Sequence, residues 1–290
     1  MANNRTYKSP LRYPGGKSCI FKFMTHFLDE NDLIGTDYAE PYAGGAGLAL
    51  RLMMDEYVGD IYINDLNPSI YAFWHAVLTK PDDLCSWIET VPVTVKQWNI
   101  YRQVQINYKT VDFFELAKST FFLNRTNVSG VISGGIIGGV NQTGKYKIDA
   151  RFNKPELIKR IRDIQPFSHR IHLSNYDGID FVKKIERMRK NVFLYLDPPY
   201  YQKGSDLYMN AFTENDHQKL SNYVKTMRKK WIISYDHQEF IMHLYKKENK
   251  VLYQLSQCAS NRVGDEILII DKRLHINESI LKLNKATLIQ

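Results

Sequence analysis

Asp197-Pro198-Pro199-Tyr200 follows the compact apolar run Asn191–Leu196. A run of that length reads as a buried strand, and two consecutive prolines cannot extend it, so the tetrapeptide marks a strand end. Pro198 holds Asp197 in extended backbone. The Asp197 carboxylate and the carbonyl that follows can then converge on one ligand amine, with Tyr200 offering a flat face beside them. Two acceptors and an aromatic plate suit a planar ring bearing an exocyclic NH2. The plainer alternative is a rigid turn closing a strand.

A second candidate lies in Glu40–Gly47, EPYAGGAG, where Gly44, Gly45 and Gly47 crowd a strand-to-helix turn. Small residues let backbone approach a ligand, and the free N–H groups of a helix start face it. Asp65 lies 20 residues beyond Gly45, at the end of the next strand. A carboxylate there can accept both hydroxyls of a ribose. The spacing suits an adenosine-containing cofactor in general, and its glycines differ from GxGxxG. A tight turn with a surface aspartate is the alternative. The Gly15-Gly16-Lys17 trio resembles a phosphate loop but lacks the GxxxxGK[ST] spacing.

These residues need a scaffold. Strand, glycine turn, helix (Leu48, Leu50, Leu52, Met53), strand (Val58–Ile63) and acid make a βαβ unit. From Pro68 to about Ile164 the pattern turns helical, with helices expected at Ser69–Leu78, Val93–Tyr108, Val111–Leu123 and Asn153–Ile164. The Gly-, Ser- and Asn-rich stretch Ser129–Gly144 interrupts them, and Asn141–Gly144 could turn a hairpin into Lys145–Ile148. Strand and helix patterns then return: Arg170–Leu173, Phe181–Met188, Asn191–Leu196, a polar loop at Gln202–Asn210, Glu214–Met227, Trp231–Ser234 and Gln238–Lys247. Late strands at Val251–Ser256 and Glu266–Ile270 flank the polar loop Gln257–Asp265. The expected organisation is an α/β sheet domain in two pieces, 1–67 and 169–290, interrupted by a mostly helical insert at 68–168.

Composition sets outer bounds. The 290 residues carry a net charge of +8, which suits a polyanionic partner without requiring one. Cys19, Cys85 and Cys258 lie far apart, with no CxxC pair, so neither a disulfide framework nor a metal is expected. No apolar stretch approaches the ~18–20 residues of a membrane span. MANNRTYKSP has no apolar core behind its basic residues. A cytoplasmic protein with no membrane partner is the expectation.

Taken in order, these motifs resemble those of S-adenosylmethionine-dependent, adenine-N6-specific DNA methyltransferases of the Dam-like, or D12, class. The resemblance runs from Arg12 to about Ile270. RYPGGK (Arg12–Lys17) matches the N-terminal cofactor motif, Glu40–Gly47 the glycine motif, Asp65 and Asp177 the acids after later strands, and Asp197–Tyr200 the catalytic motif. LNRTNVSG (Leu123–Gly130) resembles the start of the DNA-recognition region, and AFTENDHQKL also fits. The resemblance implies a Rossmann-like class I methyltransferase sheet with an inserted DNA-recognition module. It also implies S-adenosylmethionine as cofactor, S-adenosylhomocysteine as product, and double-stranded DNA as partner. A cognate restriction endonuclease acting on the same site is a further partner the class allows.

By the same resemblance, Asp197, Pro198, Pro199 and Tyr200 form the catalytic end. Tyr13, Gly15, Gly16, Lys17, Glu40, Tyr42, Gly44, Gly45, Gly47, Asp65 and Asp177 fall to the cofactor, with Lys17 orienting it or its carboxylate end. Candidate DNA contacts are Arg125, Asn127, Asn141, Gln142, Lys145, Lys147 and Arg151. Asn and Gln can read adenine, Arg guanine, and Lys more often neutralises phosphate. Arg125 and Asn127 rank first, while Arg151 could instead form an internal salt bridge. The chain departs from the class where Glu-Pro-Tyr replaces the common Asp-Pro-Phe, and in SGGIIGGVNQTGKYKIDARFN, which leaves a GATC target unassigned. Rival readings are a nicotinamide-dependent oxidoreductase, a catalytically weak DNA-binding relative, and methylation of cytosine N4 or RNA adenine.

Overall fold

The computed structural model describes residues 7–13, 16–201, 212–256 and 263–289. Gly15, the loop expected at Gln202–Asn210, and the loop expected after Gln257 up to residue 262 lie outside them. The chain forms two compact units: one takes the described residues up to Gly16 together with Asn67–His169, the other Lys17–Leu66 and Arg170 onward. The segment before Lys17, expected with the sheet, therefore groups with the helices.

The sheet unit holds β1 (Asp37–Glu40), β2 (Ile61–Asn64), β3 (Ile171–Ser174), β4 (Val192–Leu196), β5 (Trp231–Asp236), β6 (Asn249–Ser256), β7 (Val263–Ile270) and β8 (Thr287–Ile289). Their order is β3-β2-β1-β4-β5-β7-β6-β8. The strands from β3 to β5 run parallel, and β7 enters antiparallel between β5 and β6. The chain order reverses between β1 and β4. In open parallel sheets that reversal leaves a crevice at the carboxyl ends of the two strands, where ligands bind.

β4 reads VFLYL and every residue is buried, as expected for a central parallel strand covered on both faces. Its side chains alternate. Phe193 meets Phe27 of α1 (Phe21–Glu30) on one face. Val192, Leu194 and Leu196 pack on the other with Phe181, Val182 and Ile185 of α8 (Gly178–Arg187) and Leu220 and Val224 of α9 (Glu214–Val224). Thr213 and Asp216 close a capping box at the start of α9, which fixes where the chain re-enters the sheet. The short α2 (Gly47–Met54) follows the glycine turn, and α10 (Glu239–Leu244) follows β5.

The helical unit contains α3 (Pro68–Thr79), α4 (Pro81–Thr90), α5 (Val95–Ile106), α6 (Phe113–Thr126) and α7 (Lys154–Ile164). Pro68 and Pro155 occupy first turns, where the missing N–H costs nothing. Phe73 stacks on Phe121 at 5.5 Å, and Phe152 closes against Phe121 and Phe122. The hairpin expected around residues 141–148 does not form; these residues make turns. The Gln142 side chain replaces the ladder, with Nε2 donating to the carbonyls of Ile137 and Gly139 while Oε1 accepts from Ile148 N–H at 2.8 Å. Among the described residues no helix is long and apolar enough to cross a membrane.

Candidate active site

Asp197 emerges directly from β4, at the reversal point of the sheet, with its side chain 20% exposed. Both carboxylate oxygens are held. Ser234, near the end of neighbouring β5, donates to Oδ1 at 2.7 Å, and Lys17 Nζ donates to Oδ2 at 2.9 Å. Tyr195 Oη in turn donates to Ser234 Oγ at 3.0 Å. Lys17 also donates to Tyr200 Oη at 2.7 Å and lies 3.6 Å from Glu266 Oε2 on β7. Tyr200 is buried, with Pro198 and Pro199, and burial raises its phenol well above the ordinary value.

Glu266 is a buried acid that opens the apolar run Ile267–Ile270 and accepts from Tyr253 Oη at 3.0 Å. Burial pushes its carboxyl up, opposed by Lys17 and reinforced by Asp197. Glu40 closes β1 and is likewise buried, with Tyr38 Oη donating to it at 3.0 Å. Burial drives its carboxyl up to about 8, so it is neutral at pH 7.

The glycine turn is built as its spacing predicts. Gly44 takes a φ of +46° and Ala46 enters the left-handed region before α2. Gly45 is buried and Gly47 opens the helix. Half-buried Asp65 follows β2, and its Oδ2 accepts from Gly44 N–H at 2.9 Å. Asp177 is exposed and caps α8 by accepting from the N–H groups of Ile179 and Asp180. The Tyr42 ring lies against Gly178 so closely that an added Cβ would come within 2.4 Å of it. The buried Tyr42 hydroxyl has no hydrogen-bond partner among the described residues. Tyr13 and Gly16 form a turn in the other unit, closed by Gly16 N–H on the Tyr13 carbonyl at 3.0 Å.

Asn64 links these pieces and went unread in the sequence. Its Nδ2 donates to the carbonyls of Pro41 and Tyr176, and its Oδ1 accepts from Ser174 Oγ and Tyr176 N–H. One buried amide thus ties the loops after β1 and β3 to the end of β2. Ser234 and Glu266 were also missed. The available signal was a polar residue inside an otherwise apolar strand, which burial obliges to find a partner.

The donor set fits S-adenosylmethionine. Asp65, Asp177 and Asp197 follow three of the parallel strands, and carboxylates there suit a ligand bearing a sulfonium, an ammonium and a ribose diol. The orphan Tyr42 hydroxyl beside Asp177 adds a polar atom in need of a partner. Among the described residues no cluster of His, Cys, Asp and Glu could hold a metal ion.

In the helical unit the LNRTN residues are architectural. Asn124 brackets the chain at Arg12, accepting its N–H and donating to its carbonyl and to that of Gly130. Asn127 is fully buried; Trp98 Nε1 donates to its Oδ1, and its Nδ2 donates to the carbonyls of Val131 and Ile132. Asn127, expected among the DNA contacts, thus has its amide engaged by protein partners. Arg125 is buried, donates through Nε to the Arg151 carbonyl, and is pushed down to about 9 by burial and by Arg160, Arg12 and Arg151. Asn141, Lys145, Lys147 and Arg151 are exposed, whereas Gln142 is committed to backbone. Arg151 carries no ion pair among the described residues; its guanidinium stands 5.9 Å from the Tyr146 ring centroid.

A parallel sheet whose order reverses beside an Asp-Pro-Pro-Tyr strand end has the form of α/β units that bind ligands at such a point, and the second unit is helical. Residues 13–257 match the D12 class of N6 adenine-specific DNA methyltransferases, and the chain belongs to that family. It is similar to the type II methyltransferase M.CviBI of Paramecium bursaria Chlorella virus NC1A, 25% identical over 268 residues that cover 90% of this chain and 96% of the viral protein. Solved structures with some likeness include the rRNA methyltransferase aviRa of Streptomyces viridochromogenes (10% identity, 88% of this chain and 84% of that one, TM-score 0.36). Another is protein LPL1258 of Legionella pneumophila str. Philadelphia 1 (7% identity, 93% and 86%, TM-score 0.39).

Proposed function

We propose that this methyltransferase moves a methyl group from S-adenosylmethionine to the exocyclic N6 of adenine in double-stranded DNA. The observation that carries the reading is the Asp197 carboxylate, presented at the reversal point of the sheet by donors that are themselves side chains. When bound, S-adenosylmethionine supplies a methyl already activated by positive sulfur. Tyr42, the Gly44–Gly47 turn, Asp65 and Asp177 would hold it, on a Rossmann-like class I scaffold.

The chain's own task is to orient and solvate the amine. Adenine N6 is a weak nucleophile because its lone pair is delocalised into the ring. Asp197 and the Pro198 carbonyl accept its two hydrogens and bias the nitrogen toward tetrahedral geometry. Asp197 also stabilises positive charge as it grows on nitrogen, and once the N–C bond has formed the surplus proton passes to the Asp197 carboxylate or to water. The adenine must first leave the duplex, at a cost of a few kcal/mol. Tyr200 is the candidate stacking surface.

The helical unit is the proposed recognition module. Arg12, Arg125, Arg151 and Arg160 bear on one another with Glu156 as the opposing acid, and Lys145 and Lys147 add exposed charge. Such an excess favours a polyanion. The test is incubation with a sequence-diverse duplex library and labelled methyl donor, followed by base-resolved detection. N6-methyladenine in one sequence context is expected; label on cytosine N4, on RNA alone or nowhere overturns the reading.

A further inference from the structure

Nothing in the chemistry above uses Glu266, yet burying a carboxylate is costly unless it is paired. Glu266 lies in β7, in register with Tyr253 of β6, and is 2% exposed. Lys17 Nζ stands between two carboxylates and is bonded to one. It is 2.9 Å from Asp197 Oδ2 and 3.6 Å from Glu266 Oε2, the second distance within ion-pair range but long for a hydrogen bond. Asp197 Oδ1 is already taken by Ser234. A carboxylate oxygen has two lone pairs, so an amine can reach Asp197 beside these donors or in place of one, and the Lys17 ammonium on its flexible stem is the donor able to yield. A side chain 4% exposed cannot shed that charge into water without moving far.

Resting on the proposed amine methylation, we propose that Glu266 is a positioning residue for it: Glu266 receives the Lys17 ammonium when the substrate amine takes Asp197. The shift needs a small motion of Nζ, exchanges one set of N–H donors on Asp197 for another, and moves no proton or electron. Tyr200, bonded to the same ammonium, is steered with it. Among the described residues, Glu266 is faced by Lys17 and Cys19 from the turn before α1, Asp197 and Tyr200 from the end of β4, Tyr195 within β4 and Tyr253 on β6, with the buried acid Asp236 opposite it in register on β5. Among the described residues Lys17 is the cation of this group.

The test compares Glu266→Gln, Glu266→Asp, Lys17→Met and the Lys17→Met/Glu266→Gln double variant in the full chain. Single-turnover methylation by Glu266→Gln should fall by about tenfold or more, a coupling scale usual for contacting charges. Dissociation constants for methyl donor and DNA should stay within about threefold. In the Lys17→Met background the same change should cost less than about twofold, because no ammonium remains to be received. An equal cost in both backgrounds overturns the proposal.

A second readout needs neither DNA nor methyl donor. Reductive methylation of Lys17, read by mass spectrometry, should run about threefold or more faster in Glu266→Gln, since a buried ammonium that loses a counter-ion deprotonates more readily. Glu266→Asp should restore part of the protection, and it replaces Gln in both comparisons if Gln does not fold. Unchanged labelling overturns the pairing. If the wild type transfers no methyl to DNA, the proposed function fails while the labelling result still decides whether Lys17 and Glu266 act together.

Discussion

Asp197→Asn is the perturbation that bears most directly on the site. The substitution keeps size and planarity but removes a charge that two donors address, Ser234 at 2.7 Å and Lys17 at 2.9 Å. The amide can turn its oxygen to Lys17 and its NH2 to Ser234, so the variant has a workable resting arrangement. It no longer has a second acceptor for a substrate amine, nor a negative charge to meet the positive one growing on N6. Losing one preorganised electrostatic contact of this kind costs ~2.7–4 kcal/mol, or about 10²–10³ in rate. Because the charge on N6 exists mainly in the transition state, kcat should fall by that factor while dissociation constants for DNA and methyl donor move within about threefold. Single-turnover methylation beside equilibrium titration separates the two effects, and a thermal melt checks that Lys17 has not been stranded. A variant that methylates at near wild-type rate would refute the assignment of Asp197.

Ser234→Ala should lower the single-turnover rate by roughly tenfold, since a bond to a charged group contributes about 1.5–3 kcal/mol and Lys17 still holds the other oxygen; an unchanged rate refutes the role given to Ser234. Glu40→Gln tests burial: the carboxyl ionises at about 8 when folded against 4.5 as the ordinary value, so the unfolded chain loses its proton first as pH rises. Wild-type stability should therefore be greatest below the lower value and decline toward the upper, by up to about 3 kcal/mol near pH 7, while the Gln variant lacks that slope; parallel urea midpoints from pH 5 to 8 would overturn this. Lys145→Ala and Lys147→Ala should weaken DNA binding, flatten its salt dependence and leave the melting temperature alone, whereas buried Arg125→Ala should lower the melting temperature as well. Salt titrations and melts on the three variants distinguish surface charge from architecture.

What could be read from the sequence was local. The apolar run into Asp197-Pro198, the turn at Gly44 and the acid after β2 are contiguous patterns, and each stands where its pattern placed it. What could not be read was long-range pairing. Lys17 was singled out, but its partner Asp197 lies 180 residues away, and Ser234 meets Asp197 across 37. Neither separation leaves a periodic trace. The Leu123–Gly130 motif shows the other difficulty: asparagine and arginine suit base recognition and buried backbone bracketing equally well, and only burial distinguishes them. Asn127 fell to the second role because Trp98 and two carbonyls claim its amide. In the same way Gln142 offered its side chain to three backbone groups, so the turn near it needed no strands.

The acids at the ends of the first four parallel strands are therefore not interchangeable, although in sequence they look alike. Glu40 is internal and neutral at pH 7, with a tyrosine hydroxyl donating to it. Asp65 and Asp177 accept from backbone N–H groups, at Gly44 and at the start of α8. Either can accept from a ligand on the lone pairs these bonds leave open, but neither can turn away without unmaking a turn or uncapping a helix. Among the described residues Asp197 has both oxygens met by side-chain donors, the Lys17 ammonium and the Ser234 hydroxyl. An ammonium on a four-carbon stem can shift partners, and a hydroxyl can rotate. A carboxylate held by such donors can exchange one of them for an incoming amine with the backbone left in place. On the proposed function, that difference in what holds each acid, more than the acid's position, is what suits Asp197 to meet a substrate amine.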